Sequence, residues 1–488
     1  MKKQLLIDIF RINRYNKIMK EEGFAMHKKN QILRLTVEDL NNLGFGVAHT
    51  HGKTVFIADA VDGDVLDARI IHVGKTYSVA KIESLVSPSP YREDSFCAVR
   101  GCGGCAYRAV TYAHELERKE NNVRFAFRKA GLHGARIMPV TSTNVTRGYR
   151  NKAQYAVAPD KEGKCAAGFY APKSHRLCAA VDCPLQNSRF SPIVKTLLGF
   201  CNENGIPPYN EETHTGLLRH IYLRAAATGD VMLTLVVTEA PFPKLSSLRT
   251  ILNQKHPEIK GVYLNINAEK TNVICTDDYR HAWGDGHLYD TLCGVRLAIS
   301  PASFYQVNRD AAELLYQKAA ALADFGGDES ILDLYSGVGS IGLSMAHLVR
   351  EVIGVEIVAS ATECARQNAR ANGIDNADFF TADAGDGDAL LRAVRARKGE
   401  RYRPDAVILD PPRAGCAPEL LYTLARAERV EKIVYISCNP DTLARDAKIL
   451  TDEGYLMSEV YPFDLFPRTG HVESVVCFKR RLDVDMRR

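Results

Sequence analysis

From residue 331 onward, short apolar runs alternate with stretches of helical periodicity, and this alternation limits the fold more than any other feature. The runs at 331–335, 352–356, 407–409 and 432–436 are rich in Val, Ile and Leu, as is typical of buried strands. Strands separated by helices form parallel sheets, because a tight turn cannot join parallel neighbours. We therefore predict an open, Rossmann-like α/β sheet with its functional residues at the carboxyl ends of the strands.

The first of these strands leads into a glycine-rich loop, Ser336–Gly342. Glycines such as Gly337 and Gly339 let the backbone turn tightly and approach a nucleotide closely. The next strand ends in Glu356, about 20 residues further on, where a carboxylate would hold ribose hydroxyls. This pattern fits both NAD enzymes and S-adenosylmethionine (SAM) methyltransferases. Its place late in the chain and the Asp410-Pro411-Pro412 that follows two strands later favour SAM.

A cysteine, Cys438, follows the strand at 432–436 and precedes Pro440. A lone cysteine can be a small buried hydrophobe, and methylation of an exocyclic amine requires no nucleophile. Methylation of a pyrimidine ring carbon does require one, because C5 of uracil becomes nucleophilic only after a thiolate adds to C6. A base must then remove the C5 proton, and His471 and Glu473 are candidates. The structural alternative for Glu473 is an ordinary surface acid.

Together, these motifs resemble those of the RNA (uracil-5-)-methyltransferases that carry an N-terminal TRAM barrel and an iron–sulfur cluster. The matching stretches occur in the order of that family and are Phe304-Tyr305-Gln306-Val307-Asn308, Asp333-Leu334-Tyr335-Ser336-Gly337-Val338-Gly339, Asp410-Pro411-Pro412-Arg413, Ser437-Cys438-Asn439-Pro440 and His471-Val472-Glu473. The resemblance covers roughly residues 30–480. It implies that Cys438 is the nucleophile and Glu473 the acceptor of the C5 proton. The residues that it places against SAM or the adjacent base are Gln306, Tyr335, Glu356 and Asp410, of which Asp410 is also a candidate for orienting the uracil edge.

A dense cysteine triple, Cys97, Cys102 and Cys105, lies outside the catalytic motifs. Zinc sites usually present two CxxC-like pairs, whereas a tight triple with one distant cysteine before a proline favours a four-thiolate iron–sulfur site. Cys183, followed by proline, is the predicted fourth ligand, with Cys178 as its rival. We therefore predict a [4Fe–4S] cluster with a structural or RNA-positioning role, and zinc is the alternative.

The domain organisation follows from the same patterns. Short alternating strands between residues 31 and 84 indicate a small β-barrel. Farther on, 221–226 and 231–238 form one predicted hairpin, and 262–266 with 272–275 a second. The predicted parts are an N-terminal extension (1–29), a TRAM-like β-barrel (30–88), a central α+β iron–sulfur and RNA-binding domain (89–300) and a SAM-dependent methyltransferase domain (301–488).

Bulk properties agree with such an enzyme. The net charge of +5 permits an anionic partner without requiring one. No apolar run approaches the roughly 20 residues that span a bilayer, and no small-residue cleavage site follows the first residues, so no secretory signal is expected. The odd number of cysteines, thirteen, favours a reducing cytoplasm. No obligate protein partner is evident.

The predicted reaction is methylation of uracil C5 in structured RNA, with 23S ribosomal RNA as the expected substrate. A tRNA uracil-5 methyltransferase is the alternative within the class. A noncatalytic RNA-binding iron–sulfur protein is the alternative from another class, and the intact pair of Cys438 and Glu473 argues against it.

Overall fold

The computed structural model describes residues 27–172 and 174–481, which form two compact units. The first unit comprises described residues up to Phe96 together with Cys105–Glu115, and the second comprises Cys97–Gly104 and the residues from Leu116 onward. Residues 1–26 of the predicted N-terminal extension lie outside the described part of the chain. Within the described ranges, no helix is both long and apolar enough to cross a bilayer.

The first unit is built on a six-stranded sheet. Its strands are β1 (Ile32–Thr36), β2 (Asp39–Leu40), β3 (Phe45–Thr50), β4 (Lys53–Ala58), β5 (Val65–Val73) and β6 (Tyr77–Ser87), in the order β1-β5-β6-β4-β3-β2. Alternate residues of β5, Leu66, Ala68 and Ile70, point into one small core, as the two-residue period of a strand requires. The five strands predicted here are confirmed within a few residues.

The segment that follows β6 is held in place by a buried carboxylate. Asp64 is fully buried and accepts hydrogen bonds from the backbone N–H of Val61 (2.7 Å) and of Ser89 (2.9 Å). Its Oδ2 also lies 2.5 Å from the guanidinium of Arg92. The Ser-Pro stretch at 87–90 is therefore tied to the sheet at Ser89.

The second unit contains a seven-stranded sheet. Its strands are β7 (Lys152–Pro159), β8 (Cys165–Tyr170), β9 (Leu177–Ala179), β10 (Leu218–Ala225), β11 (Val231–Val237), β12 (Ile259–Ile266) and β13 (Tyr279–Gly284), in the order β13-β12-β11-β10-β7-β8-β9. Helices α1 (Tyr112–Lys129), α2 (Phe190–Glu203) and α3 (Leu245–Lys255) occur in the same stretch of chain, and the boundary between the units falls within α1. The predicted β10–β11 hairpin is confirmed.

The second predicted hairpin is wrong. Strand β12 pairs with β13, and residues 272–275 form no strand. The side-chain amides of Asn265 and Asn267 donate to the carbonyls of Thr276 (2.9 Å) and Val273 (2.8 Å). These side-chain amides bond to carbonyl groups of the loop that a neighbouring strand would otherwise have paired.

An eight-stranded sheet forms the C-terminal part of the second unit. Its strands are β16 (Ser330–Leu334), β17 (Glu351–Glu356), β18 (Ala377–Thr381), β19 (Ala406–Leu409), β20 (Lys432–Ser437), β21 (Tyr455–Met457), β22 (Tyr461–Phe463) and β23 (Glu473–Arg480), with main order β18-β17-β16-β19-β20-β23-β21. The first five strands in this order are parallel, and β23 is antiparallel to β20. A separate hairpin, β14 (Leu288–Leu292) and β15 (Val295–Ile299), precedes the sheet. The predicted parallel sheet is confirmed.

Helices cover both faces of this sheet. They are α4 (Arg309–Ala323), α5 (Ser340–Met345), α6 (Ala359–Ala371), α7 (Gly387–Lys398), α8 (Pro418–Arg426) and α9 (Pro440–Asp452). Two hydrophobic cores lie against this sheet, one on each face. Ile331 and Leu332 are adjacent in β16, and each packs into a different one of these cores. Burial on both faces explains why the strands are continuous apolar runs in the sequence.

Candidate active site

A cavity of about 640 Å³ lies at the carboxyl ends of the parallel strands. The strand order reverses between β16 and β19, which is the point where open α/β sheets bind their ligands. Among the residues that line the cavity are those predicted as cofactor-binding or catalytic: Gln306, Tyr335, Gly337, Glu356, Asp410, Cys438 and Glu473. The structure thus brings together groups that lie up to 167 residues apart in the chain.

The loop after β16 is shaped for close approach by a ligand. Tyr335 (φ 63°) and Gly337 (φ 55°) both adopt left-handed backbone conformations, which is uncommon for a residue with a side chain. The carboxylate of Glu356 accepts the N–H of Gly337 (3.0 Å) and that of Val358 (2.8 Å). Glu356 therefore anchors the loop while it lines the cavity, where lone pairs remain for a ligand hydroxyl.

Gly339, a predicted cofactor-binding residue, is not among the residues that line the cavity. Its φ is +81°, and an added Cβ would lie 2.9 Å from the ring of Phe379. Three residues further on, the N–H of Gly342 donates to the carboxylate of Asp333 (2.9 Å). Burial raises the pKa of Asp333 to about 7. These two glycines allow α5 to pack closely against β16 and its neighbours.

The register between β20 and β23 sets the position of the two predicted catalytic residues. Ser437 pairs with Ser474 in antiparallel register, so extending the ladder by one residue places Cys438 opposite Glu473. Directly opposed side chains have Cβ atoms about 5 Å apart. Glu473 is 5% exposed, which excludes the surface-acid alternative.

The charges of the cavity oppose ionisation of these groups. Burial raises the pKa of the Cys438 thiol to about 11, and the carboxylates of Glu473 and Asp410 add to the shift. Burial likewise raises the pKa of Glu473 to about 8, with a further contribution from Asp410. The guanidinium of Arg413 opposes both shifts. The site can therefore hold protons on the thiol and on Glu473 near neutral pH.

Gln306 lies in a fixed segment before α4. Gln306 is 8% exposed, and its backbone carbonyl accepts a hydrogen bond from the side-chain amide of Asn151 (2.9 Å). Asn308 caps α4 by accepting from the N–H of Ala311 and donates to the carbonyl of Leu465 (3.1 Å). Gln306 is therefore held in a largely buried position at the wall of the cavity.

A buried ion pair supports the loop that enters β23. Lys119 and Asp464 are both fully buried, and their charged atoms lie 2.8 Å apart. Lys119 also donates to the carbonyl of Phe466 (3.1 Å), and Phe466 and His471 both line the cavity. Partial burial, followed by the charge of Arg413, lowers the pKa of His471 to about 4. His471 is thus neutral at physiological pH.

Several lining residues were not selected from the sequence. Phe304 and Arg413 lie in the matching motifs but have no predicted role, and Phe304 is 63% exposed at the cavity. Asp383 lies shortly beyond β18, and its place after the third parallel strand is the signal that would have identified it.

The predicted metal ligands lie in segments without regular secondary structure. Cys97, Cys102 and Cys183 belong to the second unit and Cys105 to the first. Burial raises the pKa of Cys183, and the neighbouring thiols of Cys97 and Cys102 contribute. Among the described residues, no three His, Cys, Asp or Glu side chains are placed to hold a metal ion.

The fold and the glycine loop define a SAM-dependent methyltransferase. A family described as tRNA (Uracil-5-)-methyltransferase matches residues 295–481, and the TRAM domain matches residues 27–82. The chain is 36% identical over 450 residues to an RNA methyltransferase of Halalkalibacterium halodurans, covering 92% of this chain and 96% of that protein. A relative from Listeria monocytogenes is 39% identical over 454 residues, covering 92% and 98%.

A solved structure shares the architecture. It is the Pyrococcus abyssi tRNA (uracil-54, C5)-methyltransferase in complex with S-adenosyl-L-homocysteine, with a TM-score of 0.72, 29% identity and coverage of 91% of this chain and 99% of that one. The protein belongs to the TRAM-domain RNA methyltransferases of the (uracil-5-)-methyltransferase family. The predicted combination of a TRAM domain with an RNA (uracil-5-)-methyltransferase domain is confirmed.

Proposed function

We propose that the protein methylates C5 of a uridine in structured RNA and that this RNA is 23S ribosomal RNA. The observation that supports the chemistry is the register of β20 and β23, which sets Cys438 opposite a buried glutamate inside the cavity of the glycine loop. A thiol and a proton acceptor beside one methyl-donor site are the groups that methylation of a ring carbon needs.

In the proposed reaction, the Cys438 thiolate forms a bond to C6 of uracil, and electron density moves onto C5. SAM, when bound, supplies the electrophilic methyl group that C5 attacks. Glu473 then removes the C5 proton, the C5–C6 double bond re-forms, and the Cys438 sulfur leaves as thiolate. Arg413 favours the ionised forms of both residues, since its charge lowers both pKa values.

The residues that would hold SAM or the adjacent base are Gln306, Tyr335, Gly337, Glu356 and Asp410, which all line the cavity. The donor set fits the molecule, because the Glu356 carboxylate lies beside the open loop at Gly337. A uracil attacked on its ring face cannot remain stacked, so the target uridine enters this cavity from a loop or after flipping out.

The choice of 23S ribosomal RNA rests on the combination of the TRAM domain with the cysteine triple. A tRNA substrate is the second candidate, favoured by the likeness to the tRNA (uracil-54, C5)-methyltransferase of Pyrococcus abyssi. Incubation of unmodified total RNA with labelled SAM, followed by mapping of the labelled nucleotide, distinguishes the two. Label in 5-methyluridine of 23S RNA is expected, and label confined to tRNA would select the second candidate.

The covalent step is tested by trapping. RNA that contains 5-fluorouridine should form a stable adduct with the protein in the presence of SAM, because fluorine at C5 cannot be removed as a proton. Cys438→Ala should abolish this adduct. A noncatalytic RNA-binding protein would form no adduct with any RNA pool.

The [4Fe–4S] cluster at Cys97, Cys102, Cys105 and Cys183 stays a prediction, supported by the cysteine pattern alone. No step of the proposed reaction uses it. The predicted domain boundaries and the cytoplasmic location likewise stay predictions.

A further inference from the structure

The seven-stranded sheet has one polar face that carries two cations side by side. Along β10, Ile221 and Leu223 point into the core of this sheet, so Tyr222 and Arg224 point to the opposite face. Lys152 of β7 pairs directly with Arg224 in the antiparallel ladder, which places the two side chains on the same face. Like charges at this spacing repel one another. A bound anion between the two cations would offset this repulsion.

No carboxylate among the described residues supplies such an anion. Arg224 donates to the Tyr222 hydroxyl (2.5 Å) and to the Ser303 carbonyl. Within the described ranges, neither Lys152 nor Arg224 forms an ion pair with a carboxylate. The nearby Cys275 thiol is largely protonated, because burial raises its pKa. Burial, followed by the charge of Arg224, lowers the pKa of Lys152 to about 8, as expected for a cation without a counter-charge.

This pair of cations is linked to the catalytic cavity through one short segment. Arg224 holds the carbonyl of Ser303, and the next residue, Phe304, lines the cavity. Asn151, which precedes Lys152, holds the same segment through the carbonyls of Gln306 and Val307 (2.9 Å each). Three residues of extended chain span roughly 10 Å. The cations therefore lie within a short reach of an RNA chain whose uridine occupies the cavity.

We propose that Lys152 and Arg224 form a subsite for a backbone phosphate of the RNA close to the target uridine. The proposal rests on the proposed function and extends it to the RNA backbone. The lysine ammonium contacts the phosphate, while the buried Arg224 adds charge and positions Ser303. A Tyr222 hydroxyl beside them matches the donors that commonly contact phosphates.

Lys152→Ala tests the subsite, with unmodified total RNA and labelled SAM as the assay. The apparent KM for RNA should rise about tenfold at moderate salt, since a charge-assisted contact is lost. The slope of log affinity against log salt should decrease by about one contact, or 0.7 to 1. The kcat and the affinity for SAM should remain unchanged, and Lys152→Arg should retain most of the RNA affinity.

Lys161→Ala is the matched control, because Lys161 is an exposed lysine in the turn beyond the far end of β7, roughly 30 Å along the strand. It should leave the KM and the salt slope at wild-type values. A Lys152→Ala enzyme with the RNA affinity and salt slope of wild type would overturn the subsite and leave the proposed function intact. A loss of SAM affinity or thermal stability without a change in salt slope would assign Lys152 a purely structural role and also overturn it. Absence of methyl transfer by the wild-type protein would instead contradict the proposed function.

Discussion

Cysteines in two regions of the molecule were singled out for chemistry, and the structure treats them differently. Cys438 follows the end of a strand, opposite Glu473, in a cavity whose walls are fixed by sheet hydrogen bonds. Cys97, Cys102 and Cys183 lie in irregular segments, and the described residues form no metal-binding group there. Folding alone positions the side chains of a site on regular secondary structure. The side chains of a metal site in loops reach their final positions only when the metal binds.

The largest expected effect is at Cys438. Cys438→Ala should lower kcat by at least about 10⁴-fold, as is typical for the loss of a covalent nucleophile. Radiolabelled methyl transfer to RNA measures this loss. Cys477→Ala, which removes a buried thiol from β23 of the same sheet, is the control and should remain active. Comparable losses of methyl-transfer activity in both variants would contradict a specific catalytic role for Cys438.

Glu473→Gln should come next, with a fall in turnover of about 10²- to 10⁴-fold. Because the amide cannot take the C5 proton, the methylated adduct should accumulate on the enzyme and appear as a protein–RNA band on a denaturing gel. Cys438→Ala/Glu473→Gln should show no such band. Normal release of 5-methyluridine from Glu473→Gln would assign the proton to another base.

The pH profile of methyl transfer should reflect the raised pKa of the buried Glu473. Glu473 must be ionised to act as a base, and its pKa is raised to about 8, so activity is lost as pH falls below that value. We expect kcat to rise roughly tenfold per pH unit between about 6 and 8. Arg413→Ala removes a charge that lowers the pKa of both Glu473 and Cys438, so its profile should shift to higher pH. A flat wild-type profile would contradict this assignment.

The smallest effect on catalysis is expected from the cysteine region. Cys183→Ser should abolish bound iron and labile sulfide if the predicted cluster forms, yet change the rate of methyl transfer less than about threefold in RNA that already binds well. Iron analysis of anaerobically purified protein measures the first quantity. Cys178→Ser, a change at the rival position, should retain iron. Absence of iron from anaerobically purified wild-type protein would contradict the predicted cluster.

The sequence was sufficient to predict the parallel sheet, the barrel strands and most of the cavity. Strand ends are visible as apolar runs followed by Gly, Asp or Cys, and this located Gly337, Glu356, Asp410 and Cys438. The burial of Glu473 was not visible, because it depends on β23 inserting antiparallel between β20 and β21. Long-range pairing of this kind leaves no local signal.

The same reason explains the wrong hairpin and why the sequence does not reveal the pairing of Lys152 with Arg224. Two asparagine side chains in and beside β12 replaced the strand pairing expected at 272–275. Lys152 and Arg224 are 72 positions apart and become neighbours only through the ladder of β7 and β10. Gly339 had the right spacing for a nucleotide contact, but the ring of Phe379 accounts for its lack of a side chain.

The register of β20 and β23 also limits which insertions and deletions the protein can accept. Inserting or deleting one residue within β23 would turn every side chain beyond that point to the other side of the strand. Glu473 would then no longer lie opposite Cys438. Length changes in this family should accordingly be confined to the loops that flank these two strands, where they shift no partner.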